Sequence, residues 1–182
     1  MNIFYLDNDV KECAEMHNDK HCVKMILEYA QLLSTAHRVL DGILTDGFSQ
    51  SGRKAKRYIL SDKRDSILYI ATHINHPSAV WVRQSRDNYT WLWKLLTSLC
   101  KEYTYRYEKV HKVEREGLLE ELRLVPSGIA EHPKFTEPTP AMPDKYKVVN
   151  NSIISYKNYY VGDKQHLASW KNRTVPNWYA FN

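Results

Sequence analysis

A row of polar side chains along one apolar segment constrains the fold of this chain more than any other feature. The row consists of His21, Lys24, Glu28 and Gln31, with His17 one turn before them. At about 100° per residue these positions fall within roughly 80° of arc, because steps of three, four and seven residues return to the same side of an α-helix. The rest of the circumference is apolar and comprises Cys22, Val23, Met25, Ile26, Leu27, Tyr29, Ala30, Leu32 and Leu33. We therefore expect a helix packed on several sides, with the polar row facing a groove.

Two interpretations of the polar row are open. A solvated helix face is the usual reason for polar residues at helical spacing. Solvated faces, however, favour Lys and Glu, whereas this row combines two histidines with a lysine, a glutamate and a glutamine. These titratable and hydrogen-bonding groups are typical of recognition or catalysis, which favours a functional groove.

Length and composition limit the class of protein. A chain of 182 residues fits one domain with a sizeable core. A mean hydropathy of -0.58 and the absence of any run of 18 apolar residues argue against a membrane partner. The first residues lack the basic start and long apolar stretch of a secretory signal. Cys13, Cys22 and Cys100 lie in apolar, helical contexts and indicate reduced thiols, so we expect a cytoplasmic protein.

Basic residues indicate a polyanionic partner, which we predict to be DNA. The formal net charge is +5, and a basic cluster follows the Gly/Ser-rich stretch 46–52. The C-terminal stretch 163–182 alternates aromatic rings with cations. Cations contact phosphates and flat rings stack on unpaired bases, so we predict six nucleic-acid-binding residues: Arg53, Lys54, Lys56, Arg57, Lys171 and Arg173. The alternative is a solvated loop beside a tyrosine-rich core.

The spacing of apolar and capping residues predicts a mainly α-helical, single-domain bundle. We expect one helix opened by Asp9 with Glu12, and further helices at about 20–40, 54–72, 78–85, 87–112, 114–124 and 152–160. Residues 2–6 are predicted to form a short strand or an extended lead-in. Five prolines between positions 126 and 143 exclude regular structure, so residues 126–146 should form a surface strap or a mobile lid.

Two further groups of residues are candidates for substrate binding. Pro77 suits the first turn of a helix, and Asn75 and His76 would then stand at its mouth, where free backbone N–H groups attract anions. The alternative is an ordinary helix started by proline. Farther along, Arg106 and Lys109 share a helix face with Glu102. They form either ion pairs at the helix surface or a second ridge that contacts phosphates. The predicted substrate-binding residues are Gln31, Asn75, His76, Arg106 and Lys109.

Three blocks of the sequence resemble a small protein family of tailed phages. They are residues 17–37, His73-Ile-Asn-His-Pro77 and Glu102-Tyr-Thr-Tyr-Arg106-Tyr. The order of a long His/Lys/Glu helix, a His-Pro element and a Tyr/Arg-rich helix is also similar to that of the phage-type pyrimidine-dimer DNA glycosylases. The resemblance covers roughly half of the chain and implies a small helical protein that acts on DNA in the cytoplasm of a host cell.

One departure from the glycosylases matters for mechanism. Those enzymes attack the sugar with the amine of a small N-terminal residue, whereas Asn2 in second position normally leaves the initiator Met in place. That role does not carry over. In this chain, Lys24 or Lys20 would have to supply the amine of a Schiff base, or Glu28 would have to activate water directly.

The polar row and the resemblance together predict a glycosylase-like enzyme that works on a flipped pyrimidine base in DNA. Such an enzyme extrudes the base and stabilises cationic character at the sugar. We assign Glu28 and Lys24 to catalysis at the sugar, and His21 or His17 to delivery of a proton to the leaving base. Gln31 would read the edge of that base.

Three alternatives to the glycosylase are open. A transferase that makes hypermodified pyrimidines in DNA would use the same groove with a second small-molecule pocket. A non-catalytic protein that binds nucleic acid or a host factor would need only the basic and aromatic surface. A metal enzyme would need His17, His21 and a third ligand such as His73 or His76, because Glu28 lies about 10 Å of rise from His21. We predict no metal and no other cofactor, and the oligomeric state stays open.

Overall fold

The structure is a computed structural model that describes residues 1–48 and 51–179, and it is mainly α-helical, as predicted. The helices are α1 (Val10–Met16), α2 (Asp19–Asp41), α3 (Arg64–Ile67), α4 (Pro77–Val82), α5 (Arg86–Tyr107), α6 (Lys112–Arg115), α7 (Leu118–Glu121) and α8 (Ser152–Val161). Strands β1 (Ile43–Phe48) and β2 (Lys54–Ile59) form an antiparallel pair, and 3-10 helices span Asp144–Tyr146 and Gln165–Leu167. In the described part of the chain, no helix combines the length and apolarity needed to cross a bilayer.

Helix α2 lies in the core and packs against α4 and α5. Met25, Ile26 and Leu33 are fully buried on its apolar side. The side chain of Asn18 caps the helix by accepting a hydrogen bond of 2.9 Å from the His21 N–H group, one residue before the predicted cap. The long helix predicted for 20–40 is therefore confirmed, and its depth in the core follows from its apolar circumference.

The N-terminal residues form an extended, buried lead-in and not a strand. Residues 3–6 are buried, yet none of them pairs with a neighbouring strand. The Phe4 N–H group instead donates to the Tyr29 hydroxyl at 3.1 Å, and the Leu6 N–H group donates to the Cys13 sulfur at 3.4 Å. Side chains of α1 and α2 thus satisfy backbone donors that a sheet would otherwise satisfy.

The helix predicted for 54–72 is wrong. Residues 54–59 form β2, and only Arg64–Ile67 is helical in the remainder. The buried guanidinium of Arg38 accounts for much of this difference, because it donates to the carbonyl oxygens of Tyr58, Leu68 and Tyr69 at 2.7–2.9 Å. Carbonyl groups that a continuous helix would use internally are bound by a side chain of α2 instead.

Two later helix boundaries also differ from the prediction. The helix expected to reach residue 112 ends at Tyr107, because Glu108 adopts a left-handed conformation with a φ of 56°. The helix expected over 114–124 is divided into α6 and α7 by Gly117, which has a φ of 80°. Glycine adopts this backbone conformation without the steric cost that a Cβ atom imposes, so the chain leaves the helical conformation at Gly117 between the two short helices.

Residues 126–143 of the proline-rich segment contain no helix or strand, Asp144–Tyr146 form a 3-10 helix, and the segment makes specific contacts with the helices. The Thr136 N–H group donates to the Asn88 side-chain oxygen at 3.0 Å, and the Trp81 indole donates to the Thr136 carbonyl at 3.1 Å. At its start, the Gly128 N–H group donates to the Asp41 carboxylate at 2.9 Å. These bonds attach the segment to α2, α4 and α5.

Candidate functional site

The structure divides the predicted polar row into a buried half and an accessible half. His17 and His21 lie in the core, which corrects the expectation that the whole row faces a groove. The His17 Nδ1 atom lies 2.7 Å from the Cys13 carbonyl oxygen, and its Nε2 atom lies 3.0 Å from the Tyr29 hydroxyl. Because a carbonyl oxygen only accepts, Nδ1 carries the hydrogen and Nε2 accepts from Tyr29.

His21 is enclosed by residues that are distant in sequence. The Phe4 ring stacks on the His21 imidazole at a centroid distance of 4.1 Å, and the Tyr160 hydroxyl lies 2.7 Å from His21 Nδ1. Burial lowers the pKa of His17 to about 4 and that of His21 to about 2. Both imidazoles are therefore neutral at pH 7, and their contacts explain them as parts of the core rather than as proton donors to a substrate.

The accessible half of the row centres on the carboxylate of Glu28. One of its oxygens lies 3.2 Å from the Lys24 ammonium, and the other lies 4.0 Å from the α-amino nitrogen of Met1. The Glu28 side chain is only 15% exposed, whereas that of Lys24 is 60% exposed. A carboxylate held between two amino groups and shielded from much of the solvent is suited to proton transfer or to stabilising a developing cation.

The His73–Pro77 element borders this carboxylate. Burial lowers the pKa of His76, the Met1 amine and His73 lower it further, and Glu28 acts in the opposite direction, so these groups lie near enough to interact electrostatically. The His76 ring nitrogen accepts from the Ser78 N–H group at 3.2 Å and caps α4. This corrects the predicted anion seat, because the His76 ring itself occupies a backbone donor that a phosphate would need. Asn75 is exposed beside it.

An open cleft of about 600 Å³ reaches Gln31, which lies about one turn along α2 from Glu28. Its lining residues come from α2, from the hairpin and from the segment before α4: Gln31, Ser51, Arg57, Tyr69, Ile70, Ala71 and Thr72. Gln31 lies three residues after Glu28, so the carboxylate and the cleft share one face of α2. Of the predicted substrate-binding residues, Gln31 therefore lies at a concave surface large enough for a nucleobase.

Arg106 and Lys109 do not form the predicted ridge. Arg106 is completely buried and donates to Glu102 at 2.6 Å and to Asp19 at 3.0 Å, while Lys109 is exposed. Hydrogen bonds from Arg173 and Arg106 hold the pKa of Glu102 below its ordinary value, although burial acts to raise it. The contacts of Arg106 are those of a structural ion pair, which corrects its assignment to a phosphate-contacting surface.

The predicted nucleic-acid-binding cations occupy two separate regions. Arg173 bonds to Glu102 at 2.8 Å and lies over the Tyr105 ring, so its charge is engaged within the chain. The Lys171 side chain is exposed and lies over the Tyr107 ring. The remaining four cations belong to the hairpin or directly precede β2: Arg53, Lys54, Lys56 and Arg57.

Some features of the site had no sequence signal. The Met1 amine reaches Glu28 because the lead-in threads through the core, and Tyr69 and Thr72 reach the cleft because the predicted helix there is absent. The His73–Pro77 motif is the sequence signal for the segment that lies near Glu28. Within residues 1–48 and 51–179, no three histidine, cysteine or carboxylate side chains lie close enough together to hold one metal ion.

Comparison with known proteins adds no relationship. No protein-family model matches this chain, and neither a curated protein nor a solved structure is similar to it.

Proposed function

We propose that this protein is a DNA-acting enzyme, glycosylase-like, that works on a pyrimidine base flipped into the cleft beside Glu28. The observation that carries the proposal is the Glu28 carboxylate itself, which is largely shielded, lies between two amino groups and shares a helix face with the cleft. A carboxylate in such a position is what base removal requires at the sugar, where positive charge develops as the bond to the base breaks.

The accessible residues supply the groups needed for the reaction. In a hydrolytic route, Glu28 accepts a proton from water while the water oxygen bonds to the sugar C1′ atom and the base leaves with the electron pair of the broken bond. In an amine route, Glu28 takes the proton of Lys24, 3.2 Å away, and the freed nitrogen attacks C1′ in place of water. The buried His17 and His21 have no part in either route.

The cleft offers the contacts that a flipped base needs. Gln31 presents an amide that can pair with a base edge, and Tyr69 contributes an aromatic ring to the wall. Arg57 of β2 supplies a cation to the lining of the cleft, which can contact a phosphate next to the flipped nucleotide. We further propose that the chain works as one domain in the cytoplasm and that residues 126–146 act as a fixed strap, as the bonds of Thr136 suggest.

Base release from synthetic duplexes tests this function. The duplexes contain a thymine dimer, uracil or 5-hydroxymethyluracil, and mass spectrometry measures free base and abasic product. We expect Glu28→Gln to lower the rate at least about 100-fold, in the range of general acid–base catalysis, with unchanged affinity for DNA. Glu114→Gln is the matched control, because Glu114 is an exposed carboxylate of α6.

Three outcomes distinguish the two reaction routes and the candidate functions. Borohydride trapping followed by peptide mass analysis distinguishes the routes, because a trapped adduct on Lys24 or on the Met1 amine supports the amine route and no adduct supports the hydrolytic one. Full activity of Glu28→Gln would remove Glu28 from the mechanism. Tight binding without release of any base would favour the non-catalytic binding protein, for which the basic hairpin is the supporting observation.

A further inference from the structure

The β1–β2 hairpin lies at the surface of the protein, with β2 against α2. Its base is held by the Arg38 side chain, which donates to the Tyr58 carbonyl at 2.8 Å, and by the turn at Gly42. Every residue of the two strands is exposed or half-exposed, and Phe48 is 67% exposed. Large apolar side chains exposed on such a ribbon, among them Ile43, Leu44 and Phe48, are typical of a surface that meets a partner.

The register divides the hairpin into two different faces. Thr45 pairs with Arg57 and Gly47 with Ala55, and these residues share the side that includes the cleft-lining Arg57. On the opposite side, Asp46 pairs with Lys56 and Phe48 with Lys54. Side chains alternate along a strand, so this second side, the Lys54/Lys56 face, points away from the Arg57 side.

The Lys54/Lys56 face combines cations with apolar side chains. It consists of Leu44, Asp46, Phe48, Lys54, Lys56 and Tyr58. In the described part of the chain, no carboxylate forms an ion pair with Lys54 or Lys56, although Asp46 stands opposite Lys56 in the register. Their positive charge is therefore available to an anionic partner.

The dimensions of the hairpin match a groove of duplex DNA. Strands of six residues are about 20 Å long, and a two-stranded ribbon fits the major groove, which is about 12 Å wide. Lysines on such a ribbon reach the phosphates at the groove walls, and an aromatic side chain such as Phe48 can contact thymine methyl groups.

We propose that the Lys54/Lys56 face enters the major groove of duplex DNA while the Arg57 side stays over the cleft. This inference rests on the proposed function for the identity of the partner and adds the form of the DNA and the element that grips it. The hairpin is then a bridge, because its two faces contact the intact duplex and the extruded nucleotide at the same time. Gly47 assists, since its missing Cβ would lie 3.3 Å from the Arg57 side chain, which crosses the ribbon there.

Salt-dependent binding of the full chain to an undamaged fluorescent duplex of 20 base pairs tests the inference. Each phosphate contact contributes about 0.9 to the slope of log K against log salt, so the double variant K54Q/K56Q should lower the slope by about 1.8 and the affinity about 60-fold at 0.1 M salt. The control K94Q/K101Q removes the same charge from exposed positions of α5 and should leave the slope unchanged. Phe48→Ala should weaken duplex binding further than single-strand binding. Circular dichroism and thermal unfolding verify that each variant is folded.

The outcomes separate this inference from the proposed function. An unchanged slope in K54Q/K56Q overturns the inference, as does equal loss of duplex and single-strand affinity, which would indicate a single-stranded partner. If K54Q/K56Q releases bases and binds DNA with the salt dependence of the wild type, the proposed function holds and the groove-bound hairpin is refuted. Hairpin-dependent binding to undamaged duplex with no base release on any substrate supports the inference and removes the proposed chemistry.

Discussion

Replacing Arg106 by methionine tests whether this residue supports the fold or contacts a substrate. Its side chain is fully buried and makes three hydrogen bonds within the chain, to Glu102 at 2.6 Å, to Asp19 at 3.0 Å and to the Glu15 carbonyl at 2.9 Å. Methionine retains most of the volume and flexibility of the arginine stem without its charge. The variant therefore removes the ionic contacts with little change in packing.

The expected loss in the free energy of unfolding depends on which hydrogen bonds the partners of Arg106 keep in the variant. Breaking a buried ion pair by removing one partner costs about 3–5 kcal/mol, because the other charge is left uncompensated. Here Glu102 keeps two bonds from Arg173, at 3.0 and 2.8 Å, and Asp19 keeps the Lys171 N–H group at 2.9 Å. The Glu15 carbonyl loses its side-chain donor. We therefore expect a loss near the lower limit of that range, about 3 kcal/mol.

Urea unfolding followed by circular dichroism measures this loss. The exposed Lys109 provides the control, since Lys109→Met should change the free energy of unfolding by less than about 0.5 kcal/mol. In a double-mutant cycle, Arg106→Met and Glu102→Gln should be coupled by about 1.5 kcal/mol or more, because they share one hydrogen-bonded pair. A loss below about 1 kcal/mol with a selective loss of DNA affinity would refute the structural role and restore the predicted phosphate contact.

Three other substitutions or conditions give clear expectations. Burial lowers the pKa of His17 and His37 from 6.5 to about 4 and that of His21 to about 2, so the unfolded chain takes up their protons first. Stability should therefore fall as the pH drops from 6.5 to 4, by about 3 kcal/mol from the fully buried His17 and further from the other two. Urea unfolding across this range checks it, and replacing the exposed His166 with Gln should leave the trend unchanged. Tyr160→Phe removes the hydroxyl beside His21 Nδ1 and should cost about 1–2 kcal/mol in the same assay. Gly117→Ala should cost about 1 kcal/mol because of the left-handed backbone at that position, and an equal or higher free energy of unfolding would contradict this reasoning.

The sequence was sufficient for the helices whose signals are local. Helix α2 follows from its apolar circumference, and the Asp9 cap of α1 accepts from two backbone N–H groups as the capping pattern predicts. The prediction for residues 54–72 failed because the conformation of this segment depends on a partner strand and on Arg38, a residue of a different helix. Neither influence leaves a trace in the periodicity of the segment itself.

The candidate site was predictable to the same limited extent. Helical spacing correctly grouped Lys24, Glu28 and Gln31 on one accessible face. It could not show that His21 would be covered, because Phe4 and Tyr160 cover it from opposite ends of the chain. Spacing along a helix fixes which residues are neighbours, whereas tertiary packing decides which neighbours meet solvent.

The two halves of the polar row are nevertheless connected through the lead-in. Phe4 stacks on His21, the Met1 carbonyl accepts from the Ser78 hydroxyl at 3.3 Å, and the Met1 nitrogen lies 4.0 Å from Glu28. A short extended segment therefore joins the buried histidine to the carboxylate and to α4. The His21 ring, stacked on Phe4, and the Tyr29 hydroxyl, bonded to His17 and to the Phe4 N–H group, therefore help to fix the segment that sets the surroundings of Glu28. Both histidines form their hydrogen bonds inside the core, so the structure gives them a role in positioning the lead-in.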